Sequence, residues 1–300
     1  MLLTLSAALP LHSQTLAPVA THDAKIVKRW ALAGDPHGVA AGPDGTLYVG
    51  LAQPQAVVAI DPKTGAIKKR VVLDSAEIAS TKELVTLRIS GARLFIANGS
   101  DESATILSLP DLAVLREITI EGEPIRDALP DPRGRYLYLL GRRVHVYDAA
   151  GERELHALDV GDPTAIAANG KTLAVVAAEG TVLFDTSTFA ETRRMKASGP
   201  TDVALFANDA LVTLSRDVVC LPEGSGPQIA ALAPNNVLLF AERRCDATSA
   251  LAGGGHVTPV SLYGVNAYAI AYDRVANALV TTERAGYLTI YKVPHAAVVH

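Results

Sequence analysis

Short apolar runs set the rhythm of this chain. They are rich in Val, Ile, Leu, Thr and Tyr, and Gly, Pro, Asn or Asp residues bound them. Such segments predict β-strands closed off by tight turns. No long stretch combines the 3.6-residue apolar period of an amphipathic helix with capping residues, so helices are expected to be few. The order of the runs repeats. Gly34-Asp35-Pro36 opens one unit, followed by a short apolar run, a Pro/Gly turn, LYVGL, QAVVAI, Asp61 with a small turn, and IKKRVVL. Gly122-Glu123-Pro124 and Gly161-Asp162-Pro163 open the same succession. Asp148 and Asp185 hold the place of Asp61, at steps of 87 and 37 residues, which is two repeats and then one.

Weaker copies fill the gaps. One spans Thr86 to Ile120, and others begin at Gly199, Gly226 and Val265. The total is seven units of mostly 37–44 residues, each of four short strands. The fifth is short, at about 27 residues, so its border with the sixth stays open and six blades is the alternative count. Four-stranded units at roughly 40-residue spacing are the pattern of a β-propeller. The expected fold is all-β, a seven-bladed propeller of four-stranded antiparallel blades. Ala40, Ala41, Ala167, Ala168, Ala230 and Ala231 sit at first-strand positions, where small side chains suit a crowded inner strand. The last unit ends one strand short, and HDAKIVKRWAL (His22 to Leu32) precedes the first as an orphan strand. It is expected to supply the outer strand of the seventh blade and close the ring, pairing two otherwise open sheet edges.

Composition narrows the class. Apolar residues make up 49% and charged residues 19%, with mean hydropathy +0.23, which excludes a disordered chain. The net charge is −4, with Lys and Arg scattered and no basic stripe in the sequence, so nucleic acid is not an expected partner. The first twenty residues, MLLTLSAALPLHSQTLAPVA, hold an apolar segment of about ten residues, the length of a leader's apolar region and too short for a membrane span. Ser13 could mark a cleavage point, giving a mature start near Gln14, although no Lys or Arg precedes the apolar segment. Residues 1–20 are therefore read as leader-like, and residues 21–300 as one propeller domain, periplasmic or extracellular. Export would permit a disulfide between Cys220 and Cys245, worth about 3–4 kcal/mol in the chain-entropy view, with two free buried thiols as the alternative.

The run LYVGLAQPQAVVAIDPKTGAIKKRVVL, Leu47 to Leu73, resembles the YVTN repeat of seven-bladed propellers: a Tyr-Val strand, a polar turn, a Val-x-Ile-Asp strand and a Thr-Gly turn. The pattern extends over about 270 residues and is sharpest in the first, third and fourth units. That resemblance implies an extracytoplasmic protein with a ligand or protein site on one face. Pro36-His37-Gly38 is similar to a motif of streptogramin lyases, in which a His acts beside a metal-binding Glu. Here Leu47 to Leu51 carries no acid where that family has Trp-Phe-Thr-Glu, and no other unit repeats the motif.

Candidate binding residues follow from the propeller expectation. Loops after the second strands should meet at one mouth of the channel, together with the starts of the first strands. Those places hold His37, Arg126, Arg142, Glu179, Arg216, Glu242, Arg243, Glu283 and Arg284. A ring of Arg and Glu could bind a polar or anionic ligand, or could be solvated turns with weak surface ion pairs. His145, on a strand, is read as outward and structural. Ala252 to His256 (AGGGH) is read as an extended loop of the sixth unit. No nucleophile elbow, zinc motif or calcium loop occurs, and no metal or cofactor is expected. The leading expectation is a monomeric binding or interaction module for a small polar ligand or a protein. The alternative is a metal-dependent enzyme of lyase or lactonase type using His37 with Glu179, Glu242 or Glu283.

Overall fold

The structure, a computed structural model, describes residues 14–16, 20–23, 25–73, 85–98, 102–196, 200–205, 211–215, 229–233, 237–242, 249–252, 258–263, 267–283 and 285–293. Those residues form strands and turns, with no helix among them and none long and apolar enough to cross a membrane. Three strands open the chain: β1 (Gln14–Leu16), β2 (Ala20–Asp23) and β3 (Lys25–Ala31). Blade one is β4 (Pro36–Ala41), β5 (Leu47–Ala52), β6 (Gln55–Ile60) and β7 (Ile67–Val72). Blade two is β8 (Val85–Ser90), β9 (Arg93–Asn98), β10 (Ser103–Ser108) and β11 (Val114–Thr119). Blade three is β12 (Asp127–Pro130), β13 (Tyr136–Leu140), β14 (Val144–Asp148) and β15 (Glu154–Leu158). Blade four is β16 (Ala165–Ala168), β17 (Thr172–Ala177), β18 (Gly180–Asp185) and β19 (Glu191–Lys196).

The remaining blades borrow strands from the N-terminus. The chain continues through β20 (Pro200–Leu205), β21 (Leu211–Ser215), β22 (Ile229–Ala233), β23 (Val237–Glu242), β24 (Ser249–Ala252), β25 (Thr258–Tyr263), β26 (Ala267–Asp273), β27 (Ala278–Glu283) and β28 (Tyr287–Lys292). Blade five is β20-β21-β24-β1, blade six β22-β23-β25-β2 and blade seven β26-β27-β28-β3. Seven four-stranded sheets thus arise, beginning where the seven sequence units begin. Blade six departs from an all-antiparallel pattern, because β25 runs parallel to both β23 and β2. The fifth unit is short in sequence because its third strand, β24, comes from Ser249–Ala252, beyond the first two strands of blade six. Its outer strand is β1, from the segment read as leader-like. The alanine that opens AGGGH is therefore strand and not loop.

Ring closure follows the expectation. β3 pairs antiparallel with β28, from Tyr287 opposite Ala31 to Lys292 opposite Lys25. The core lies between blades, where sheet faces stack. Leu47, Val49, Leu51, Val58 and Ile60 of blade one meet Val280, Leu288 and Ile290 of blade seven, with Trp30 against them. Tyr48 and Val57 point the other way, to Leu87, Leu94 and Ile96 of blade two. The second strands of blades one and four are covered on both faces, which is why LYVGL and LAVVA read as continuous apolar runs. The outer strands β3, β7, β11, β15 and β19 have little cover and carry charges.

The turns explain the recurrent aspartates. Asp61 Oδ1 accepts the backbone N–H groups of Lys63 (2.7 Å) and Thr64 (3.4 Å), and Asp185 Oδ1 accepts those of Ser187 (2.8 Å) and Thr188 (3.0 Å). These N–H groups hold both carboxyls below the ordinary aspartate value, with the Ser187 hydroxyl the foremost cause at Asp185. Asp148 Oδ1 likewise accepts the Glu152 N–H, at 2.8 Å. Each turn then needs one residue at positive φ: Gly65 (75°) and Gly151 (71°), but Leu112 (52°) in blade two and Phe189 (55°) in blade four. Leu112 and Phe189 accept a conformation that costs roughly 1–2 kcal/mol, and both side chains are buried, Phe189 edge-on to Tyr136 at 5.1 Å.

At Gly65 a Cβ would fall inside the Trp30 indole, whereas at Gly91 (φ 57°) it would meet nothing within 4 Å. Gly65→Ala is therefore expected to destabilise by about 2–4 kcal/mol, from left-handed strain plus overpacking. Gly91→Ala should show only the strain, about 1 kcal/mol. Denaturant unfolding of the two variants measures the difference, and equal losses would refute the contact with Trp30.

Candidate functional site at the channel mouth

Each first strand starts beside the end of its own second strand. Ala52 N–H donates to Asp35 O (3.0 Å) and Gln53 N–H to Gly34 O (3.0 Å). Arg126 N–H donates to Leu140 O (2.7 Å) and Thr164 N–H to Val176 O (2.7 Å). The Gly-acid-Pro segments and the second-strand loops therefore share one mouth in blades one, three and four. Gly34, at φ 102°, has room for no side chain, since a Cβ would lie 2.9 Å from Gln53 O.

His37 stands on β4 where blade one meets blade seven, and it is 1% exposed. Its Nε2 lies 3.2 Å from Asp35 Oδ2, its ring packs on Tyr268 at 4.7 Å, and its carbonyl accepts the Thr282 hydroxyl. Every one of these contacts anchors the ring or its backbone. Asp35 keeps a half-exposed carboxylate at the mouth.

Blade three carries a cluster that sequence reasoning missed. Glu123, the acid of its Gly-acid-Pro segment, turns inward and its Oε1 accepts the N–H groups of Arg142 (2.5 Å) and Arg143 (3.1 Å). His145 is buried, which corrects its outward assignment. Its Nδ1 is 2.8 Å from Glu154 Oε1 and its Nε2 is 3.1 Å from Glu123 Oε1, within ion-pair reach but off line for a hydrogen bond. The signal was available: Val144 and Val146 face blade four, so His145 between them must face blade two, whose wall is Phe95, Ala97 and Ile106.

Burial pushes the Glu123 carboxyl up. The Arg143 N–H, the His145 ring and the Arg142 N–H outweigh it and hold the carboxyl below its ordinary range. A carboxyl lowered on folding contributes stability above its unfolded value, and that contribution is lost as pH falls through the folded value. Glu123→Gln is expected to cost about 1–3 kcal/mol at neutral pH. The gap between wild type and variant should shrink below pH about 4.5, the ordinary glutamate range. Urea unfolding across that pH range checks this, and a gap independent of pH would contradict it.

Arg126 and Arg88 each span two blades near the inner strands. Arg126 Nη2 donates to Gly141 O (2.5 Å) and Pro163 O (2.6 Å), tying the second-strand loop of blade three to the start of blade four. Arg88 Nε and Nη2 make a bidentate pair with Asp127 (3.2 and 2.8 Å), linking the inner strands of blades two and three. Neither Arg88 nor Asp127 was picked out in the sequence, because the two lie on different repeats, where spacing says nothing. At blade seven, Glu283 is buried. It accepts Arg29 Nη2 at 2.6 Å and Tyr291 OH at 2.8 Å, and Arg29 also stacks over Tyr287 at 3.9 Å. Burial foremost, with Glu283 beside it, drives the Tyr291 hydroxyl far above its ordinary value.

Among the other candidates, the side chains of Arg142 and Glu179 are exposed, as is that of the neighbouring Arg143. Glu242 ends β23 opposite Tyr263, its side chain outside the described residues. Arg216, Arg243, Arg284, Cys220 and Cys245 also lie outside them. Among the described residues no group of three His, Cys, Asp or Glu is arranged to hold a metal ion.

Seven radial four-stranded sheets, closed by an N-terminal strand around a polar mouth, define a β-propeller. No protein-family model matches the chain, and no curated protein sequence does. Solved structures do. A chain of hydrazine synthase from Kuenenia stuttgartiensis is similar with TM-score 0.65 and 13% identity, over 87% of this chain and 96% of that one. The Cps50 (Swd1) β-propeller domain of Myceliophteria thermophila is similar with TM-score 0.60 and 17% identity, over 90% of this chain and all of that one. At such identities the likeness concerns the fold.

Proposed function

We propose that this chain is an exported, YVTN-like propeller that acts as a binding module, with its ligand or partner site at the channel mouth. One observation carries the reading: the mouth's buried polar groups are consumed in holding its loops. His37 is tied to Asp35, Thr282 and Tyr268, Glu123 to two loop N–H groups, Arg126 to two carbonyls and Glu283 to Arg29 and Tyr291. The result is a rigid rim that leaves Arg142, Arg143, Glu179 and Asp35 facing solvent. Pre-organised polar groups of both signs suit recognition of a small polar or anionic ligand, or of a charged protein loop. Export rests on the leader-like start, and a cut after Ser13 leaves β1, β2 and β3 in place.

The test is a thermal-shift and calorimetric screen with di- and tricarboxylates and sugar phosphates. Binding by wild type that is lost in Arg142→Glu/Arg143→Glu supports the reading. Turnover of a lactone with added divalent metal, abolished by His37→Ala, would replace it with the enzyme reading. Cell fractionation with N-terminal sequencing tests export, with a mature start near Gln14 as the expected result.

A further inference from the structure

Ring closure assembles a cationic surface that the sequence divides between two distant segments. Lys25, Lys28 and Arg29 lie on β3, and Lys63, Lys68, Lys69 and Arg70 lie on β7 or the turn before it. The two segments touch. Lys28 Nζ donates to Pro62 O (3.2 Å) and Lys63 O (2.7 Å), and the Trp30 ring packs on Gly65. Arg29 is answered by Glu283, and Lys68 sits 3.9 Å from Asp61. No ion pair answers Lys25, Lys63, Lys69 or Arg70 among the described residues. Ile26, Val27, Ile67 and Val72 stand between these charges, each about half exposed. A positive rim on a chain of net charge −4 is a local excess. Lysines alone could serve to deter edge-to-edge pairing. The outer strands β11 and β15 do without such an excess, carrying Arg116 and Glu117 in one and Glu154 in the other, while β19 holds Arg193 and Lys196 beside its Arg194–Glu191 pair and has no second basic strand docked against it among the described residues.

We propose that the rim of blades seven and one docks an extended acidic segment of a partner protein, added beside β7 as a further strand. β7 is the last strand of its sheet, so one row of its backbone N–H and C=O groups has no strand partner among the described residues. Main-chain hydrogen bonds would supply affinity, and Lys69 and Arg70, on opposite faces of the strand, would pair with carboxylates on two successive residues, one on each face. The exposed Ile67 and Val72 would cover apolar residues on either side of that acidic pair. A lipid surface would answer the charge but leave that backbone row unpaired, so a peptide is the better fit. This surface lies on the outer edge of the blades and does not depend on the mouth reading.

The experiment uses the full chain and a fluorescein-labelled peptide repeating Val-Val-Glu-Glu, which presents carboxylates to both faces, with a Val-Val-Lys-Lys repeat as control. The acidic peptide is expected to bind in anisotropy, weakening about ten-fold as salt rises from low to physiological strength. Lys69→Glu/Arg70→Glu should weaken it at least about ten-fold with the melting temperature unchanged. Arg193→Glu/Lys196→Glu, on the outer strand of blade four, should leave it intact. Equal weakening by both double variants, absence of binding by wild type, or sedimentation with phosphatidylglycerol vesicles without peptide binding would each overturn the proposal. Increased self-association as the sole effect of the β7 variant would show edge protection instead.

Discussion

Arg29→Ala is expected to destabilise the propeller by about 3 kcal/mol, far more than an ordinary surface ion pair is worth. The Arg29 guanidinium is partly solvated, but its partner Glu283 is buried, 2.6 Å away. Truncating Arg29 strands that carboxylate with only the Tyr291 hydroxyl for a described partner, and an uncompensated buried charge is the costly case. The variant also loses the stacking of Arg29 over Tyr287, and both contacts lie on the pair of strands that closes the ring. Adding Glu283→Gln to Arg29→Ala removes the stranded charge, so the double variant should lose less than the sum of the singles. A loss of about 0.5 kcal/mol or less for Arg29→Ala in denaturant unfolding would mean the pair behaves as a solvated one.

Gly141→Ala is the second large effect. A Cβ at Gly141 would collide with Glu123 Oε1 and stand 2.9 Å from the Glu123 Cγ and Cδ atoms. The carboxylate is held there by two loop N–H groups and cannot yield without leaving both unsatisfied near a buried His145. The expected cost is about 3 kcal/mol, from overpacking plus lost charge-assisted hydrogen bonds. The damage should be local as well as global. Exchange of the Arg142 and Arg143 amides should accelerate, and any ligand recognised by the two side chains should bind more weakly. A near-neutral substitution with those amides still protected would contradict the inward pose of Glu123.

Much of the fold was legible because it is periodic. Turn residues recur wherever a blade must turn, so Gly-acid-Pro segments and Asp61, Asp148 and Asp185 marked true boundaries. The orphan strand of KIVKRWA was found by the same count, one strand short at the far end. The limits of that reading are equally physical. β24 and β1 complete blade five from places where the linear order of units gives no hint, because hydrogen-bonded edges are satisfied by any strand that reaches them. Leu112 and Phe189 hold left-handed turn positions that a reader assigns to Gly, since burial of their side chains offsets the backbone cost. At the mouth, residue type and position located His37, Arg126 and Glu283, but not whether they face solvent or a neighbouring blade. Partners on other repeats decide that: Thr282 for His37, Pro163 for Arg126, Arg29 for Glu283. The basic rim was invisible for the same reason, its halves being some forty residues apart until β3 docks on β28.

Closure by β3 is the claim on which the blade count, the Arg29–Glu283 pair and the basic rim all depend. Amide hydrogen exchange on the intact chain tests it most directly. With β3 in place, β28 has strand partners on both sides, and successive amides from Tyr287 to Lys292 should all be slow. Edge strand β7, bonded on one side, should show slow and fast amides in alternation. If β28 showed the same two-residue alternation as β7, the ring would not be closed by the N-terminal strand, and the account would fail at its centre.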